Sequence, residues 1–181
     1  VISNSDYSRP EEYLRDADIA MYRAKEQGKS RYEIFDDSMR IAVIERLELE
    51  ANLRKAITNQ EFVVFYQPIV DMCLNQITGF EALIRWQLSD GRIVSPAQFI
   101  PIAEETNLIS SIGDWVLKKS ISDIKPLIDN YDQSFYVSIN LSGKQMKSEN
   151  IVNKLKQIIE VVKISPDNIQ LELNENTYFE D

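Results

Sequence analysis

Apolar positions in this chain first recur at helical spacing and later alternate in short runs. Leu14, Ala17, Met21 and Ala24 fall three and four residues apart, which predicts a helix over residues 10–27. Pro10 suits a first helical position and Gly28 a stop. Residues 31–35 read as a short strand. A second helix is expected over 40–59, with Ile44, Leu47 and Ile57 among its apolar positions and Glu45, Arg46, Glu48 and Glu50 on a solvated face. Beyond Gln60 the pattern predicts strands over 62–70, 78–86, 134–141 and 169–175, the first two joined by a turn near Asn75. Asp90-Gly91 marks another turn. Ser95-Pro96 predicts a helix start, with serine as N-cap. A longer helix follows, carrying Ile112, Trp115, Ile121, Ile124 and Ile128 on or near one face. Ser148 is expected to cap a further helix through Ile151, Leu155, Ile158 and Val162, which Ser165-Pro166 ends.

Strands separated by helices imply an α/β fold with a parallel sheet. No GxGxxG follows the first strand and no P-loop is present, which argues against a doubly wound nucleotide-binding sheet. The alternative is a barrel of about eight parallel strands, of which about half is expected here. Side chains alternate faces along a strand. Glu81, Leu83 and Arg85 therefore share one face, Ser138 and Asn140 another, and Gln170, Glu172 and Asn174 a third. Parallel strands buried on both faces read as nearly continuous apolar runs. Glu81, Asn140 and Glu172 break that rule on three successive strands, and a buried carboxylate needs a partner or a metal. Facing one interior, they converge at the C-terminal strand ends, where barrel enzymes place their chemistry. From pattern alone, three isolated polar residues paired with backbone or water account for them equally well.

Composition narrows the chemistry. The 181 residues are 44% hydrophobic and 27% charged, as in soluble globular domains. No apolar run approaches the roughly 20 residues of a membrane span, and no signal-peptide pattern is present, so no membrane contact is expected. The chain starts at Val1 and ends at Asp181 directly after a strand-like run, which reads as two cut ends. A formal net charge of -9 argues against a broad grip on DNA or RNA, but leaves room for a small phosphate ligand. The single cysteine, Cys73, makes no internal disulfide and points to a reducing compartment, hence the cytoplasm. It sits in an expected turn, where a structural role is the simpler account. The absence of histidine removes Ser-His-Asp and Cys-His schemes and any His-ligated zinc. A metal here would be held by oxygen, which suits Mg²⁺ or Mn²⁺.

The segment Glu81-Ala82-Leu83-Ile84-Arg85-Trp86 resembles the extended EAL motif. Tyr66-Gln67-Pro68-Ile69 stands upstream of it. A run from Pro96 through Phe99, Ile100 and Pro101 to Glu104, Glu105 and Thr106 follows, and then Ser138-Ile139-Asn140-Leu141-Ser142 and Leu171-Glu172-Leu173-Asn174-Glu175, in the family's order. The resemblance covers roughly residues 47–181. It implies a TIM-type barrel that hydrolyses cyclic di-GMP to linear pGpG with Mg²⁺ or Mn²⁺. Carried over by position, Glu81, Asn140 and Glu172 resemble the metal ligands and Arg85 a phosphate contact. Gln67 and Leu83 resemble parts of the substrate surface, and Glu175 the glutamate that steadies a later catalytic loop. A salt bridge to Glu81 is the competing role for Arg85, backbone satisfaction that for Gln67, and barrel core that for Leu83.

Upstream, Asp16-Ala17-Asp18-Ile19-Ala20-Met21-Tyr22-Arg23-Ala24-Lys25 resembles the last helix of GGDEF domains, without the signature itself. The expected organisation is a GGDEF remnant over 1–38, a connecting helix over 39–59 and the first half of an EAL domain over 60–181. Asn174 stands where threonine is usual and Asn107 where glycine is usual. The family's paired aspartates, lysine and last glutamate would lie beyond Glu175. The chain alone is therefore expected to be inactive, as a fragment of an active phosphodiesterase. The alternative is a module that binds cyclic di-GMP or a protein without cutting. A homodimeric parent is compatible with either.

Overall fold

The protein is described by a computed structural model covering residues 9–26, 28, 30–146 and 150–173. The chain divides into two compact units, Val1–Asn52 and Leu53–Asp181.

In the first unit, helix α1 (Pro10–Glu26) matches the expected helix. Helix α2 (Asp37–Thr58) starts here and runs through the boundary into the second unit. Asp36 caps α2 by accepting the Met39 N–H at 3.2 Å. Ala20, Phe35 and Met39 form a small core with Ile19 packed against it. Asp16 is fully buried, and its carboxylate accepts from Arg15 Nε at 3.0 Å and Arg40 Nη2 at 2.6 Å. Such pairing is what makes a buried carboxylate tolerable. The Arg40 guanidinium also lies 5.2 Å from the Phe35 ring. The short strand expected over 31–35 does not form, and residues 31–36 run without regular structure. A strand needs a neighbour for its N–H and C=O groups, and none pairs with this segment among the described residues.

The second unit is an α/β sheet layered with helices. Strands β1 (Phe62–Asp71) and β2 (Gln76–Gln87) form an antiparallel hairpin. This differs from the expectation of parallel strands throughout: the intervening turn is too short for the crossover that parallel pairing requires. Cys73 lies exposed in that turn, where Asp71 Oδ1 accepts the Cys73 and Leu74 N–H groups at 2.8 and 3.0 Å. A two-residue strand β3 (Ile93–Val94) pairs with the end of β2. Helices α3 (Pro96–Glu105) and α4 (Ile109–Asn130) lead to β4 (Tyr136–Leu141). Ser95 occupies the N-cap position of α3 as expected, but its side chain makes no capping bond.

The short helix α5 (Gly143–Met146) and helix α6 (Ile151–Val162) precede β5 (Ile169–Leu173). Asn150 holds the N-cap position of α6; the expected cap Ser148 lies outside the described residues, as do Asn174 and Glu175. The sheet order is β1-β2-β4-β5, with β3 beside β2, and β4 is parallel to both β2 and β5. Asn168 is buried and ties the entry of β4, its Nδ2 donating to Gln133 O at 2.8 Å and Phe135 O at 2.7 Å.

One sheet face is sealed by helices. Val137, Ile139 and Leu141 of β4 are buried there, along with Ile112, Leu117, Ile121 and Ile124 of α4. Trp86 and Phe99 are 0% exposed and meet edge to face, with ring centroids 5.9 Å apart. Tyr66 of β1 reaches α4, its hydroxyl donating to Asp123 Oδ2 at 2.8 Å. Burial and then that carboxylate push the Tyr66 hydroxyl upward from its ordinary value, so it stays protonated. Among the described residues no helix is long and apolar enough to cross a membrane.

Candidate functional site

The opposite sheet face carries the polar positions. Backbone register places Glu81 of β2 opposite Gln67 of β1 on one side and Ser138 of β4 on the other. Asn140 of β4 stands opposite Glu172 of β5. Because strand side chains alternate, Gln67, Glu81, Ser138, Asn140 and Glu172 share one face of four adjacent strands. Leu83 and Arg85 continue that face toward the C-terminal end of β2. The structure thus brings together six of the seven residues singled out in the sequence; Glu175 lies outside the described residues.

The polar groups satisfy one another in pairs. Asn140 Nδ2 donates to Glu81 Oε1 at 2.9 Å. Ser138, 0% exposed, donates its hydroxyl to the Glu172 carboxylate. Ser138 is a part of this site that sequence reasoning left unassigned, although its place in the alternation put it on the same face. Gln67 and Asn140 are exposed, and Glu81 and Glu172 half-buried.

Arg85 makes no ion pair with Glu81 among the described residues. Its Nη1 donates to the Ile84 carbonyl at 2.8 Å, and its guanidinium lies 5.7 Å from the Phe65 ring centroid. Phe65 pairs with Leu83 across the hairpin and is 49% exposed, so this aromatic stands on the same face. A cation–π contact of this kind leaves guanidinium N–H groups free to meet an anion.

β2 and β4 pair only as far as Ala82 and Ile139. Beyond that point the strands part over a cleft of about 810 Å³, lined by Leu83, Arg85, Asn140, Ile100, Glu104 and Lys144 among others. Two devices shape its rim. Ser142 and Gln145 form a reciprocal cap at the start of α5, Gln145 Oε1 accepting the Ser142 N–H at 3.1 Å. Lys144 Nζ donates to the Glu104 carbonyl and to Asn107 Oδ1, the latter at 3.2 Å. Asn107 has a φ of 59°, the left-handed region that glycine and asparagine adopt most readily. An asparagine is therefore compatible with the turn.

Among the described residues no three carboxylate, imidazole or thiol side chains gather closely enough to hold a cation. The available set is two carboxylates and an amide, on Glu81, Glu172 and Asn140. All are hard oxygen donors, suited to Mg²⁺ or Mn²⁺ rather than to softer metals.

Residues 50–181 match the model of the EAL domain family. The chain belongs to this family. Its EAL region takes in the last turns of α2 and the whole sheet. The chain is 34% identical over 170 residues to the bifunctional diguanylate cyclase/cyclic di-GMP phosphodiesterase MucR of Pseudomonas aeruginosa, covering 94% of this chain and 25% of the relative. It is 34% identical over 167 residues to the cyclic di-GMP phosphodiesterase PdeR of Escherichia coli, covering 92% of this chain and 25% of the relative. It therefore spans about a quarter of the length of these two curated relatives. Among solved structures, the MucR phosphodiesterase in complex with c-di-GMP superposes with a TM-score of 0.70 at 30% identity, over 74% of this chain and 54% of that one. The α/β sheet described above is thus the fold of solved EAL domains.

Proposed function

We propose that residues 60–181 form the first half of an EAL barrel that, in the complete protein, hydrolyses one phosphodiester of cyclic di-GMP to give linear pGpG. The observation that carries this reading is the strand register, which sets Glu81, Asn140 and Glu172 on one face of three adjacent strands with Gln67, Leu83 and Arg85 beside them. The family's phosphodiesterases and the cyclic di-GMP complex of MucR support the choice of ligand.

In this reading Glu81, Asn140 and Glu172 would hold Mg²⁺ or Mn²⁺. Bound between these oxygens, such a cation would supply Lewis acidity toward water and toward the phosphodiester charge. Asn140 presents its N–H to Glu81 in the structure, so presenting its oxygen instead means turning the amide over. Ser138 orients the Glu172 carboxylate through its hydroxyl. Arg85 offers paired N–H donors to a phosphate, with Phe65 beneath its guanidinium. Leu83 and Gln67 line the substrate surface, and Glu175 steadies a catalytic loop.

The organisation proposed around this half-site is a GGDEF remnant over 1–38 and a connecting helix over 39–59, in a cytoplasmic protein. No Asp-Asp pair and no lysine follow Glu175 in this sequence. We therefore expect this stretch alone to leave cyclic di-GMP uncut. A second reading is binding without hydrolysis, in which Asn140 keeps the hydrogen bond it donates to Glu81.

Incubating the full-length protein with cyclic di-GMP and Mg²⁺ or Mn²⁺, and resolving the products by chromatography, separates the two. Metal-dependent pGpG supports the enzyme. Saturable binding with no pGpG supports the receptor. Absence of both overturns the assignment.

A further inference from the structure

The end of β2 is held from one residue outside the sheet. Trp86 is 0% exposed and packs among Phe62 and Phe99, with ring centroids 6.2 and 5.9 Å away. Its only polar atom, Nε1, donates to Glu61 Oε2 at 2.9 Å. The other carboxylate oxygen, Oε1, accepts from Asn59 Nδ2 at 2.9 Å. The backbone of Glu61 grips the same strand end, its carbonyl accepting the Gln87 N–H at 2.8 Å.

Glu61 is itself fixed. Gln60 has a φ of 57°, the Glu61 N–H donates to Ala56 O at 3.0 Å, and the Gln60 N–H donates to Ile57 O at 3.4 Å. This is the Schellman pattern that closes a helix, here the C-terminal end of α2. One residue thus joins the last turn of α2 to Trp86 by its side chain and to Gln87 by its main chain.

Arg85 immediately precedes Trp86, and the two side chains point to opposite faces of the strand. A bulky indole locked in the core leaves the Arg85 Cα little freedom, since interiors are close-packed. Truncating Glu61 strands a buried indole N–H without an acceptor, which favours displacement of the ring and of the strand end with it. We propose that Glu61 is a positioning residue for Arg85, acting through Trp86. The proposal rests on the reading of Arg85 as the phosphate contact for cyclic di-GMP.

The test is a double-mutant cycle on cyclic di-GMP affinity in the full-length protein, by calorimetry with EDTA present to withhold the cation that turnover needs. Glu61→Leu is expected to weaken binding on the order of tenfold, with a folded thermal transition retained. Glu61→Gln keeps a carbonyl acceptor for the indole and is expected to restore most of the affinity. In an Arg85→Ala background, Glu61→Leu is expected to change affinity less than about twofold, because the residue it positions is gone. A purely structural role makes the two losses add, and that result overturns the proposal. So does wild-type affinity in Glu61→Leu. If the unsubstituted protein does not bind cyclic di-GMP, the functional reading fails first and the proposal falls with it.

Discussion

The two faces of the same sheet solve different problems with alternate residues of the same strands. On the helix-covered face of β4, Val137, Ile139 and Leu141 are 0%, 1% and 2% exposed. On the other face, Ser138 is sealed by its bond to Glu172 while Asn140, two residues on, stands in the open against Glu81. The first face contributes stability by removing apolar area from water. The second holds hydrogen-bonding groups at fixed separations and leaves Gln67 and Asn140 accessible. Neighbours only one residue apart should therefore fail in different assays when substituted.

The largest expected effect is on chemistry alone. Glu81→Ala in the full-length protein should lower pGpG formation by at least about a hundredfold, while the urea midpoint shifts by the equivalent of about 1 kcal/mol or less. Turnover unchanged would remove Glu81 from the ligand set. The mirror experiment is Ile139→Ala, expected to cost about 2–5 kcal/mol in urea unfolding through the cavity it leaves. A loss of activity without a loss of stability there would erase the division between the faces.

A third substitution sharpens the contrast. A Cβ on Gly79 would come 2.7 Å from the Tyr136 carbonyl oxygen, closer than real contacts allow. Gly79→Ala should cost about 1–3 kcal/mol by forcing β2 from β4, and should disturb the Glu81–Asn140 bond as well, since both depend on that pairing. Equal thermal transitions for Gly79→Ala and the unsubstituted protein would refute the close approach.

The smallest expected effect is on pH dependence. The indole N–H of Trp86, then the Asn59 amide, holds the Glu61 carboxyl below its ordinary value of 4.5. A depressed carboxyl contributes stability that is present above that ordinary value and is lost as pH falls through the lower, folded one. Thermal scans between pH 6 and pH 3 should show this loss, and Glu61→Gln should flatten it. Identical acid profiles for the two proteins would count against the bond.

Much of this division was legible beforehand because a strand's period of two sorts residues without reference to tertiary structure. Glu81, Asn140 and Glu172 stood out as oxygen donors inside apolar runs, and their register bears out the shared face. The residues that were missed carried weaker local signals. Ser138 looks like any small strand residue until Glu172 lies beside it. Phe65 reads as ordinary core, and only its pairing with Leu83 puts it under Arg85. Ile93–Val94 is too short to show any period. The Ser142…Gln145 spacing is a local capping signal, and the structure forms that cap. Residues 31–35 erred in the other direction, since alternation without a neighbouring strand does not make one.

The antiparallel start of the sheet has a kinetic consequence. Pairing of β1 with β2 closes a loop of only a few residues at Asp71–Gln76, whereas β2 meets β4 only after α3 and α4 have been traversed. Hairpins of this kind zip in about 1–10 μs, while distant parallel pairings wait on the entropy of a long loop. The strand bearing Glu81 and Arg85 is thus laid down early, as a template on which β4 and then β5 add their own donors.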